Sequence, residues 1–102
     1  MLTTRFGRYG LMHRMTHDHY VKFVQAGLLS EADALPEFQK VRVPIVATKP
    51  QVVTVKFKGH RAVKAVVLRT RYAGQQVQCV WPAEAKYPGR VYLQWVERWE
   101  IG

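Results

Sequence analysis

With 102 residues, the chain has room for one hydrophobic core and not for a second domain. Hydrophobic residues at 48% with aromatics at 12% exclude wholesale disorder, and the lack of a long apolar run excludes a membrane-spanning helix. The formal charge of +9 is concentrated: between Glu37 and Glu84 there are nine Lys or Arg and no Asp or Glu.

The first residues are basic and acid-free, as in a mitochondrial presequence, and are expected to belong to the fold. Residues 2–9 read as a short edge strand with Gly7 and Gly10 as turn points. The run Gly7-Arg8-Tyr9-Gly10 has the spacing of the GxxG loop by which KH domains clamp a nucleic-acid backbone. That loop joins two helices, however, and residues 2–8 show no helical period, so a glycine turn is expected.

Thr16 is the expected N-cap of a helix in which Tyr20, Phe23, Val24 and Leu28 recur at helical spacing, with Gly27 near its end. Ser30 and Asp33 would cap a further turn that Pro36 stops. This segment, 16–36, carries most of the acid and is expected to lie away from the basic face. His13, His17 and His19 suggest a metal cluster, but with Thr16 as cap His13 precedes the helix and the other two point about 200° apart. First-turn surface histidines are expected, and no metal or cofactor.

The remainder, 41–101, reads as β-rich. Val41, Val43 and Ile45 or Val46 suggest an edge strand interrupted by Pro44. Val53, Val55 and Phe57 then alternate with Thr54, Lys56 and Lys58, a half-buried strand that returns through a tight hairpin at Lys58-Gly59-His60-Arg61. In the return strand, residues 62–72, the apolar side switches partway, for which a β-bulge or a passage between two sides of a small barrel would account. Ala73-Gly74-Gln75 marks a turn. Val77, Cys79 and Trp81 alternate inward up to Pro82, and a last strand places Val91, Leu93, Trp95, Trp99 and Ile101 inward.

These elements imply one α+β domain over residues 1–102: a small antiparallel β-barrel or strongly bent sheet, SH3-like or OB-like, with one N-terminal helix packed against it. The lone Cys79 implies a core thiol and a reducing, cytoplasmic setting. Walker, Cys-x-x-Cys and Gly-x-Ser-x-Gly motifs are absent, so no catalytic residue is assigned.

An acid-free block of nine cations is disfavoured by its own repulsion unless a partner neutralises it, which points to polyanion binding. The expected contacts are Lys56, Lys58, Arg61, Lys64, Arg69 and Arg71, with Arg42 and Lys49 outside them. Tyr72 and Tyr92 are expected on the surface as stacking residues. The expected partner is RNA or DNA, held by its phosphates without catalysis. Two alternatives stand beside it. In an RNA-cleaving toxin, His60 would pair with Glu84, Glu97 or Glu100 and Arg61 would act as electrophile. A small phage-type inhibitor would instead dock on an acidic protein or nucleoprotein surface.

Overall fold

The computed structural model describes residues 6–7, 10–31, 34–57 and 59–101, with side chains from residue 10 onward. The elements are β1 (Phe6–Gly7), β2 (Gly10–Arg14), α1 (His17–Ala26), β3 (Val52–Val55), β4 (Val63–Arg71), β5 (Gln76–Pro82) and β6 (Arg90–Glu97), with 3-10 turns at Pro36–Phe38 and Arg98–Glu100. This is an α+β fold. Five strands form an antiparallel sheet in the order β2-β6-β5-β4-β3, and the short β1 pairs with the outer edge of β2. The sheet is not closed. Past β6, Ile101 makes a single antiparallel bridge to Val55, and the Lys56 amide donates to the Glu100 carbonyl at 2.8 Å. Among the described residues no helix is long and apolar enough to cross a membrane.

Helix α1 forms where capping and spacing predict it. The Thr16 hydroxyl accepts from the His19 amide at 3.1 Å, and His19 Nδ1 accepts from the Thr16 amide at 3.3 Å, a reciprocal capping box contributing about 1 kcal/mol. At the other end Gly27 takes φ +78°. Its amide then reaches the Val24 carbonyl and that of Leu28 the Phe23 carbonyl, a Schellman closure.

Both faces of the sheet are apolar, and strand pleating sorts neighbours between them. Met12, Val55, Ala65, Val77, Cys79, Trp81, Tyr92 and Val96 fill one face. Val66, Val80 and Val91 fill the other, under Tyr20 and Phe23 of the helix and under Phe38. Tyr20 and Phe38 stack with ring centroids 4.8 Å apart, tying the first 3-10 turn to the helix. Gly89 takes φ +75°, which disfavours a side chain, and a Cβ there would come within 2.5 Å of Leu35 Cδ1, which would have to shift.

Several expectations are corrected. The helix ends at Ala26 beside Gly27, as the sequence places it, but the 16–36 segment also contains irregular chain, and Pro36 opens a 3-10 turn of its own, since a helix tolerates proline in its first turn. Ala32 and Asp33, on which the second capped turn depends, lie outside the described residues. Residues 41–46 form no strand; Val41 and Val43 pack against the helix layer from an irregular segment, and Ile45 is fully exposed. The hairpin is not tight either. Val55 pairs with Val63, leaving a loop of residues 56–62 with its turn at Phe57 to His60. The basic N-terminal stretch belongs to the fold, as expected: β1 lies at the sheet edge, Gly7 pairs with Gly10, and β2 continues to Arg14, while Arg8 and Tyr9 lie outside the described residues. The last strand stops at Glu97, and the following 3-10 turn throws Trp99 outward, 81% exposed.

Candidate nucleic-acid interface

The pairing of β4 with β5 shifts between Val67 and Arg69, and this shift aims the most basic part of β4. Val66 faces the helix layer and Val67 the opposite core. Strict alternation from there would turn Arg69 and Arg71 away from the helix side. The extra residue at the bulge reverses this: Arg69 pairs with Gln78 and Arg71 with Gln76, both in phase with Val80 on the helix face. The acidic helix therefore covers the same face as these arginines, further along it, and not the opposite one as expected.

On β6, Trp95 pairs with Gln78 and Glu97 with Gln76, so seven residues from three strands and one turn form a continuous patch. Arg69 Nε donates to Gln78 Oε1 at 2.9 Å, Arg71 Nε to Gln76 Oε1 at 2.7 Å, and Gln76 Nε2 to Glu97 Oε1 at 2.7 Å. The Arg71 guanidinium carbon lies 4.0 Å from the centroid of the Trp95 ring and 5.1 Å from that of Tyr72; Arg69 lies 5.7 Å from Trp95. Each arginine engages its glutamine through Nε, the donor nearest the chain, so its terminal nitrogens extend past the amide. Such a planar fork matches phosphate geometry.

Tyr72 is held in the turn joining β4 and β5. The Gly74 amide donates to the Arg71 carbonyl at 3.2 Å, and the two central residues, Tyr72 and Ala73, have φ of 55° and 53°. Both are left-handed, as a type I′ turn requires, although neither is glycine, asparagine or aspartate.

The other predicted residues lie elsewhere. Lys64 pairs with Thr54, and Lys56 follows β3, so both sit at the opposite end of β4, about 23 Å of extended strand from Arg71. Arg61 is exposed in the intervening loop, and Arg42 and Lys49 are exposed in irregular chain. Lys58 lies outside the described residues. Tyr92 corrects the expectation of a surface ring: it is 1% exposed in the core, and its hydroxyl donates to Glu84 Oε1 at 2.5 Å. The strand-borne part of the basic block is thus divided between the two ends of β4, with Arg42 and Lys49 apart from both.

Trp81 is buried as expected, whereas Trp95 is half-buried beneath the guanidinium groups. Trp95, Gln76, Gln78 and Glu97 were not among the predicted contacts. Their signal was present in the outward alternation of Gln76 and Gln78 and in the switch of apolar side along β4, but only the bulge joins the two.

Of the residues considered for an acid–base site, two share a cleft. Arg61, Glu84 and Tyr92 line a cleft of about 260 Å³ whose wall does not include His60. Glu97 accepts from Gln76, and Glu100 accepts from the Glu97 amide at 3.0 Å. Among the described residues no group of three or more His, Cys, Asp or Glu is placed to hold a metal ion. Burial holds the His19 pKa below its ordinary 6.5, Lys22 and His13 adding to the shift and Asp18 opposing it. Burial also pushes the Cys79 thiol up to about 11.

Comparison of the chain with known protein families, with curated proteins and with solved structures gives no match.

Proposed function

We propose that this protein is a non-enzymatic nucleic-acid-binding protein whose principal contact surface is the patch formed by Arg69, Arg71, Tyr72 and Trp95. The observation that carries this reading is the stack of Arg71 on Trp95, with each arginine held by a glutamine across the strand. Guanidinium groups so held lose less freedom on meeting phosphate than solvated ones. Lys56, Arg61 and Lys64 supply a second, weaker contact at the far end of β4.

The architecture that suits this reading is an SH3-like small barrel. Support comes from the bridge of Ile101 to Val55 directly after a 3-10 turn: three flat strand spacings, about 14 Å, separate β6 from β3, more than that short connection comfortably spans unless the sheet bends.

The test is a pair of double reversals, Arg69→Glu with Arg71→Glu against Lys56→Glu with Lys64→Glu, each changing the charge equally. Affinity for a nonspecific oligonucleotide should fall further in the first. Equal losses would assign binding to net charge, and no loss in either would favour docking on an acidic protein, for which the exposed Ile45 and Val46 between Arg42 and Lys49 offer apolar contacts. The Arg61–Glu84–Tyr92 cleft keeps a ribonuclease reading in view, and RNA cleavage abolished by Glu84→Gln would establish it.

A further inference from the structure

We infer that the patch is built for single-stranded nucleic acid, one unpaired base stacking on Tyr72 while Arg69 and Arg71 hold the flanking phosphates; this rests on the nucleic-acid reading above. The patch is layered. Trp95 forms the base layer, Arg71 lies on its ring at 4.0 Å, and Tyr72 stands 5.1 Å from the same guanidinium carbon. Arg71 occupies one face of Trp95, so Trp95 supports the layer above it, and the ring open to an incoming base is Tyr72, 68% exposed.

A base in a duplex is stacked above and below and presents only its edges to a groove. A base free of a partner can be splayed out and laid on an aromatic ring or a guanidinium plane, and because every base has a π-face this contact tolerates sequence. Both ends of the Gln76 amide and the Oε1 of Gln78 are already engaged by Arg71, Glu97 and Arg69, which leaves stacking and phosphate contacts as the main chemistry on offer.

A second observation points the same way. Tyr72 is displayed by left-handed backbone at two successive non-glycine residues, a strained conformation that any glycine would relieve. A turn whose only task was to reverse the chain would not favour a large aromatic there. The turn, closed by its Gly74 to Arg71 hydrogen bond, places the ring next to Arg71 at the strand end.

The experiment compares binding of a short oligothymidylate and of a duplex of the same length by fluorescence anisotropy at one fixed salt concentration. Wild type should prefer the single strand. Tyr72→Gly, which suits the φ of the turn and so keeps the fold, should weaken single-strand binding about 10-fold and more than it weakens duplex binding. Arg71→Lys, which keeps the charge and loses the plane, should show the same selective loss. If wild type binds both ligands equally, or Tyr72→Gly weakens both alike or neither, the inference is overturned while nucleic-acid binding stands. If wild type binds neither, both fall.

Discussion

The carboxylate of Glu97 determines which way the amide of Gln76 faces. A carboxylate only accepts hydrogen bonds, so Gln76 must turn its Nε2 toward Glu97, and its Oε1 is left facing Arg71 Nε, each contact being 2.7 Å. Glu97 thereby positions Arg71 through one intervening amide without neutralising it directly.

Removing the charge of Glu97 separates positioning from electrostatics. In Glu97→Gln the contact to Gln76 loses its charge and its fixed direction, because the new amide can donate as well as accept, and the hold on Arg71 loosens. Oligonucleotide affinity should fall a few-fold although the net charge rises by one. Tighter binding would show that the local charge outweighs the geometry.

Salt dependence reports the number of phosphates engaged. If five are neutralised, the log-log slope of affinity against salt should be about −3.5 to −4.5, the range spanning single and double strands. Replacing Arg69 and Arg71 by Gln should reduce its magnitude by roughly 1.4 to 1.8. A titration that is flat in salt would rule out phosphate contacts as the source of binding.

Ala73 adopts φ 53° without a functional side chain to display. Left-handed backbone costs a non-glycine residue roughly 1–2 kcal/mol, and the extra freedom of glycine in the unfolded chain returns roughly 0.4–1 kcal/mol of that. Ala73→Gly should therefore stabilise by about 0.5–1 kcal/mol, raising the melting temperature by a few degrees, and leave binding intact. A lower melting temperature would mean the turn is unstrained.

Acid should weaken the fold through His19. Its folded pKa lies below the unfolded 6.5, chiefly because burial disfavours the cation, so between the two values the unfolded chain binds more protons. The stabilising contribution is complete above pH 6.5 and is lost as pH falls through the folded value. The geometry agrees, since a protonated Nδ1 cannot accept from the Thr16 amide. In His19→Gln, which keeps a capping-box acceptor, denaturation midpoints should lose this dependence between pH 7.5 and pH 5, chosen as about one unit above and more than one below 6.5.

Cys79 should resist thiol reagents near neutral pH in the folded protein, because it is buried and its thiolate is disfavoured up to about pH 11. Labelling should proceed at once in denaturant. Rapid labelling of the native protein would show that this side of the sheet opens.

Local pattern alone determined the helix, its caps at Thr16 and Gly27, the turn at Gly74, the inward alternation of Val77, Cys79 and Trp81, and the acid-free block. Each of these follows from neighbours a few residues apart, where backbone geometry and pleating act directly. The switch of apolar side along β4 was legible too, although its consequence for Arg69 and Arg71 was not. Only the tertiary structure decided that Tyr92 is core, that Trp95 lies under two guanidinium groups, and that the strand-borne basic residues divide between the two ends of β4. Those outcomes depend on which strands pair and in what register. A one-residue shift at Leu68 exchanges the two faces for every side chain beyond it, and nothing local to Arg71 records that its partners will be Gln76 and Trp95.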